Sequence, residues 1–270
     1  MSAVPASSVL STSSVVIDDL RRQLLRSQIT RTDRRVVSTG FERLDGLLPE
    51  QGLPSGAVIE WVSDSEGLRG ASIALCCAAA CLKDPGALAI VDTLHCVHVP
   101  ALSHRGIPLS RLLLVRPGRS PQSGQVSEAE LSQAQRSDAL WSLEQLARCS
   151  GVRVVLAWVD RLSSTAQRRL QLAVENSGVT VFLMRPQTAL RQTSWADLRF
   201  HVQSVPRPVT ADGRGPQTVN TVSHIAVRLV RCRNRVQPQG QILLDYNHET
   251  GAVSETSELA GSATTAAAVG

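Results

Sequence analysis

The sequence predicts an α/β fold: a mostly parallel, twisted sheet flanked by helices, with an antiparallel C-terminal extension. Three observations predict it. From residue 36 onward, short apolar runs alternate with helix-like stretches, the order that builds a parallel sheet with helices on its faces. The apolar runs are near-continuous, as expected of strands buried on both sides. Toward the C-terminus the runs alternate in polarity and are joined by turn-rich loops, which reads as antiparallel pairing.

The elements follow in order. Residues 1–14 are rich in Ser, Ala and Val and are expected to be disordered. "VVIDDLRRQLLRSQ" then reads as a short amphipathic helix, with Ser14 as cap, Asp18 and Asp19 at its positive end, and Ile17, Leu20 and Leu24 on one face. It either packs on its own domain or serves as a docking arm for a partner. Parallel strands are predicted at 57–62, 87–92, 111–116, 152–159 and 179–184. A polar loop is expected between Arg116 and Arg136. "SDALWSLEQLARC" reads as a helix starting at a Ser/Asp cap. "SSTAQRRLQLAVENSG" offers a capping box, Ser164 with Gln167, and a terminating Gly178. "DLRFHVQ", "SHIAVRLVRCR" and "GQILLDYN" form the antiparallel part. The expected division is a flexible N-terminus at 1–35, a core domain at 36–248 and a disordered tail at 249–270.

Composition narrows the function classes. The chain has 270 residues, 43% hydrophobic and 19% charged, sufficient for one α/β domain with a full core. No apolar run approaches the roughly 20 residues that span a bilayer. No signal-peptide pattern opens the chain, so a cytoplasmic protein without membrane contact is expected. Of the six cysteines, Cys76, Cys77 and Cys81 fall in one apolar helical run and read as small core residues. His95 and His98 flank Cys96, but no second ligand group stands at metal-binding spacing, so no metal is expected. The net charge is +5, and Lys83 is the only lysine among 28 basic residues. So uniform an arginine bias weakens the ordinary inference from basic charge to nucleic acid.

Four stretches together resemble the RecA superfamily, and within it the ImuA family, RecA-like accessory proteins of bacterial mutagenic translesion synthesis. They are "STGFERLDGLLPEQGLPSGAVIEWV", "GALAIVDTLHCVHVPALSHRGIPLSRLLLVRP", "VVLAWVDRLSSTAQRRLQLAVENSGVTVFLMRP", and "AVRLVRCRNR" followed by "GQILLDY". Their order and spacing, over residues 36–250, carry the resemblance. It implies a RecA-like core.

The resemblance also places a phosphate loop at "WVSDSEGLRGAS". Such a loop needs glycines that let backbone N–H groups wrap phosphates, a Lys for the β/γ oxygens, and Ser or Thr for Mg²⁺. Ser63 occupies the first glycine position, and Leu68, Arg69 and Gly70 fall where Gly-Lys-Thr belongs. Gly67 lies within the same stretch. Lys83 lies beyond the following helix. Arg69 is long and forked, a poor substitute for a point charge in a tight cradle, and Asp64 and Glu66 oppose an incoming phosphate. The family's catalytic glutamate position, two residues after the acidic strand end Asp92, holds Leu94. Its Mg²⁺-side aspartate position holds Trp158, with Asp160 two residues later. Asp92 is expected to cap the next turn. Ser63, Gly67, Leu68, Arg69 and Gly70 are therefore read as a vestigial loop, with no cofactor and no ATP hydrolysis expected.

Two basic regions remain. The loop "RPQTALRQTSW" corresponds to the second DNA-binding loop of RecA recombinases; Arg185 and Arg191 can contact phosphates and Trp195 can stack on a base, or the loop is a plain surface connection. Arg228, Arg231, Arg233 and Arg235 form the densest basic cluster. Residues 231, 233 and 235 share one face if the strand continues. They are a DNA-phosphate or partner-carboxylate surface, or a solvated edge that discourages strand pairing.

The resemblance implies an adaptor with three partners: a catalytically inactive, ImuB-like polymerase homologue, the α subunit of an error-prone replicative-type DNA polymerase, and RecA itself. Weak DNA contact accompanies this reading. The alternatives are an active RecA-like DNA-dependent ATPase in recombinational repair, which the missing lysine opposes, and a SulA-like inhibitor of cell division.

Overall fold

The computed structural model describes residues 34–63, 68–117, 128–205, 221–233 and 240–256. The predicted N-terminal helix, Gly67 and Arg235 lie outside the described residues. The chain divides into two units, Met1–Arg35 and Val36–Gly270.

The second unit is an α/β core built on a nine-stranded sheet. Its strands are β3 (Val58–Ser63), β4 (Ala87–Val91), β5 (Leu112–Val115), β6 (Val152–Trp158), β7 (Thr180–Pro186), β8 (Leu198–Val205), β9 (Val222–Cys232), β10 (Gln241–Asn247) and β11 (Val253–Glu255). They lie in the order β11-β10-β9-β8-β3-β7-β6-β4-β5. From β8 to β5 every pairing is parallel; from β8 outward through β9, β10 and β11 every pairing is antiparallel. A small ribbon, β1 (Val36–Val37) with β2 (Leu53–Pro54), stands apart from the sheet.

Alternation along the central strands explains their apolar sequence. In β6, Val154 and Leu156 enter one core, whereas Val155 and Ala157 enter the other. A strand covered on both faces has no polar side to present. The first core is closed by α1 (Glu42–Leu47), α2 (Leu68–Cys81) and α3 (Val99–Ser103), through residues such as Leu44, Ile73, Cys77 and Leu102. The second is closed by α4 (Glu128–Arg148) and α5 (Ser164–Ser177), through Leu143, Ala147, Leu170 and Val174. Trp61 on β3 anchors the first core. It is fully buried and stacks on Phe200 with centroids 4.5 Å apart. Burial of such a ring contributes about 2–3 kcal/mol, and the stacked geometry roughly another 1 kcal/mol.

Several local expectations need correction. Helix α4 starts at Glu128 rather than at a Ser137/Asp138 cap, so the polar loop is shorter than read. The N-cap of α5 is Ser163, whose hydroxyl accepts from Ala166 N at 3.2 Å. Gln167 makes no capping box with Ser164; its amide donates to Leu162 O and accepts from Trp195 N, 2.9 Å away. Buried within the second core layer, it has partners there that outweigh a local cap. Gly178 does end α5, in the left-handed conformation at φ 77°. The strand containing Leu198 pairs in parallel with β3 and only its other edge is antiparallel. The segment expected as tail from residue 249 begins with a turn and β11, which pairs with β10.

Candidate functional site

Strand β3 ends at Ser63 and α2 begins at Leu68, so a strand and a helix flank residues 64–67 as they would flank a phosphate loop. Ser63 is buried and has interactions of its own. Arg69 is half-buried in the first turn of α2. Gly70 packs on the strand: a Cβ there would lie 3.6 Å from Ser63 Cβ, an ordinary contact, so the glycine is compatible with a close helix but not demanded by it. Lys83 follows the C-terminal end of the helix. At ~1.5 Å per residue, that is about 20 Å from the loop, beyond the reach of a side chain. The residues present therefore do not fit a bound nucleoside triphosphate.

The positions where hydrolytic carboxylates would stand also lack that chemistry. Asp92, the residue after β4, is fully buried. Its carboxylate accepts from Cys96 N at 3.0 Å and Val97 N at 3.2 Å, and from Arg116 Nε at 3.1 Å. Asp92 thus closes the next turn, as expected for a strand-end cap. Leu94 is 57% exposed on that turn. Trp158 ends β6, and the strand stops there, so alternation does not carry Asp160 back to the same side.

The second loop is held down by a charged network that the sequence reading missed. Glu60, Arg185 and Arg199 lie on one face of adjacent strands, because Glu60 is registered with Arg199 on β8 and Val62 with Arg185 on β7. Glu60 Oε1 accepts from Arg185 Nη1 at 2.8 Å, and Oε2 accepts from Arg199 Nε at 2.5 Å and Ser194 Oγ at 2.9 Å. Arg185 Nη2 also donates to Gln192 Oε1 at 2.7 Å and to Asp160 O at 3.3 Å, tying the loop after β7 to the loop after β6. Burial pushes the Arg185 pKa below the ordinary arginine value, and Glu60 works against that shift. Arg185 is therefore no surface phosphate contact. It lies inside the sheet because a carboxylate buried on β3 requires a cation. The available signal was Glu60 itself, a lone charge in the apolar run "AVIEWV".

The other two candidate residues of the loop, Arg191 and Trp195, stay outside. Arg191 ends a 3₁₀ turn and is exposed. Trp195 is 37% exposed, with the Arg168 guanidinium 5.6 Å above its ring, a cation–π arrangement.

In β9 a bulge changes the expected alternation. Phe200 pairs with Leu229 but Arg199 with Arg231, leaving Val230 extra. The bulge turns Arg228 and Arg231 to the same face, and both are exposed. Arg233 shares that face but is half-buried, 3.9 Å from Glu175 and 3.8 Å from Asp197. Among the described residues of this cluster, the exposed arginines are thus Arg228 and Arg231. Among the described residues no group of three or more His, Cys, Asp or Glu side chains is placed to hold a metal ion. No helix among them is long and apolar enough to cross a membrane.

Fold and site together define an α/β protein with a RecA-like core and no lysine between β3 and α2. Comparison with known proteins agrees with the fold. The chain is 31% identical over 103 residues to Protein RecA of Malacoplasma penetrans (strain HF-2), covering 38% of this chain and 31% of that protein. It is 31% identical over 94 residues to Protein RecA of Clostridioides difficile (strain 630), covering 35% of this chain and 27% of that protein. The matches thus span less than a third of the length of these relatives, and they support a RecA-like relationship. No family model matches the chain.

Proposed function

We propose that the chain is a non-enzymatic, ImuA-like adaptor of damage-induced mutagenic translesion synthesis: a RecA core kept as a protein-binding scaffold. Its partners in this reading are a catalytically inactive, ImuB-like polymerase homologue, the α subunit of an error-prone replicative-type polymerase, and RecA, in the cytoplasm. The observation that carries the reading is the missing triphosphate chemistry on an otherwise complete sheet. The only lysine is at Lys83, Leu94 and Trp158 stand where carboxylates would, and Asp92 is engaged by Arg116 and two backbone N–H groups. A core relieved of nucleotide control can offer its surfaces permanently to partners.

Calorimetry with ATP and Mg²⁺ tests the loss of the ATPase, and no heat of binding is expected at micromolar protein. Micromolar affinity, or hydrolysis stimulated by single-stranded DNA, sinks the reading. Co-purification with polymerase subunits, with and without residues 1–35, tests the adaptor role. Selective retention of the cell-division GTPase instead would favour the SulA-like alternative.

A further inference from the structure

Resting on the adaptor reading, we propose that the cleft at the C-terminal ends of β4 and β6 docks a partner protein through an acidic segment bearing one bulky apolar side chain. The cleft encloses about 850 Å³ between the turns after β4, β5 and β6 and the N-terminal half of α4. That volume is in the range of sites that enclose a ligand or an anchoring side chain.

Three features of the lining identify the occupant. The first is Leu94, which is 57% exposed. Its turn is stiff: His95 adopts φ 51°, and the carboxylate of Asp92 holds the N–H groups of Cys96 and Val97. A left-handed non-glycine residue is strained and persists only where surrounding bonds impose it. Leu94 is thus an apolar side chain presented rigidly to solvent, and with Leu140 it gives the cleft an apolar wall. An apolar side chain of a partner gains most by packing there.

The second feature is charge. Arg136 and Arg161 line the cleft and both are exposed, against the single carboxylate of Asp160. The surplus guanidinium favours carboxylates flanking the apolar anchor, since charge-assisted hydrogen bonds from arginine are short and strong. The third is Trp158, another lining residue, whose indole Nε1–H is buried without a hydrogen-bond partner. With that nitrogen covered, the half-buried ring adds apolar surface to the wall of the cleft. An apolar wall and two arginines together fit a segment rich in Asp or Glu around one Leu, Phe or Trp.

The test is peptide selection. A phage library of random 12-residue peptides is panned on the full chain and counter-selected on the triple variant Leu94→Arg, Arg136→Glu, Arg161→Glu. Enriched peptides carrying a large apolar residue within three positions of two carboxylates are expected. A synthetic peptide of the selected sequence should lose at least tenfold in affinity on Leu94→Arg alone, measured by fluorescence polarisation, with the melting temperature of the variant unchanged. Failure to enrich any sequence over the triple variant, a neutral or basic consensus, or displacement of the peptide by oligo(dT) overturns the proposal. The adaptor reading is decided separately. If Leu94→Arg retains polymerase subunits as well as the unaltered chain does, the adaptor stands and its docking face lies elsewhere.

Discussion

Glu60 on β3 and Arg185 on β7 meet at 2.8 Å with both side chains 1% exposed. Arg199 approaches the second oxygen of the same carboxylate. Two cations thus share one buried anion beneath the loop of residues 187–197. The residue that loop-based reasoning offered to DNA instead fastens the loop to the core.

Removing the shared anion should therefore be costly. Glu60→Gln leaves two buried guanidinium groups without a counter-charge, and about 3–5 kcal/mol of stability is expected to disappear in urea denaturation. Replacing all three members together, as Glu60→Leu with Arg185→Met and Arg199→Leu, should recover most of that loss, because no unpaired charge remains. Equal losses for the single and the triple variant would show that the network does not act as a unit.

Asp92 should behave as a cap and not as a catalytic group. Asp92→Ala strips the Cys96 and Val97 N–H groups and the Arg116 guanidinium of their acceptor. A destabilisation of roughly 2–3 kcal/mol is expected in thermal or chemical unfolding. The milder Asp92→Asn keeps one acceptor oxygen and should lose less.

The cysteines should separate by burial. Cys77 is fully buried, and burial pushes its pKa well up; burial raises Cys81 from 9.0 to about 12. Cys96 is exposed, but desolvation and then the Asp92 charge raise its pKa too. In the native protein iodoacetamide should label exposed Cys149 before Cys96, and reach Cys77 and Cys81 only on unfolding. The same shifts set a pH dependence. A thiol with a higher pKa folded than unfolded favours the native state below the unfolded value. That contribution falls away as pH rises from 9.0 toward 12. Alkaline unfolding in this window should weaken in Cys81→Ala.

Charge reversal on β9 tests the basic surface. Arg228→Glu with Arg231→Glu should leave the melting temperature nearly unchanged, because both side chains are exposed. If this face holds single-stranded DNA, affinity should fall and the log–log salt slope should shrink by about 0.7 per arginine lost. Unaltered retention of both DNA and partner proteins would reduce the cluster to a solvated strand surface.

Much of the fold was legible because it follows from local pattern. Near-continuous runs such as "ALAIVD" and "VVLAWV" declare strands covered on both faces, and Gly178 marks the end of α5 through its conformational freedom. The start of α4 was not legible. "EAELSQAQ" is polar enough to read as a loop, and only the helix continuing from Leu143 and Ala147 shows it as a helical extension. Strand β11 was hidden for a similar reason: three residues carry no periodicity, and pairing with β10 alone makes them a strand.

The sequence by itself determined the missing lysine, the missing carboxylates and the alternation of strands and helices, because identity and spacing are one-dimensional facts. Tertiary structure alone decided which charges are free. Arg185 and Arg231 read alike in a linear scan. The register of β3, β7 and β8 buries the first against Glu60, while the bulge opposite Arg199 turns the second to solvent. The cost of burying an unpaired charge separates the two. It can be assessed only once the strands are side by side.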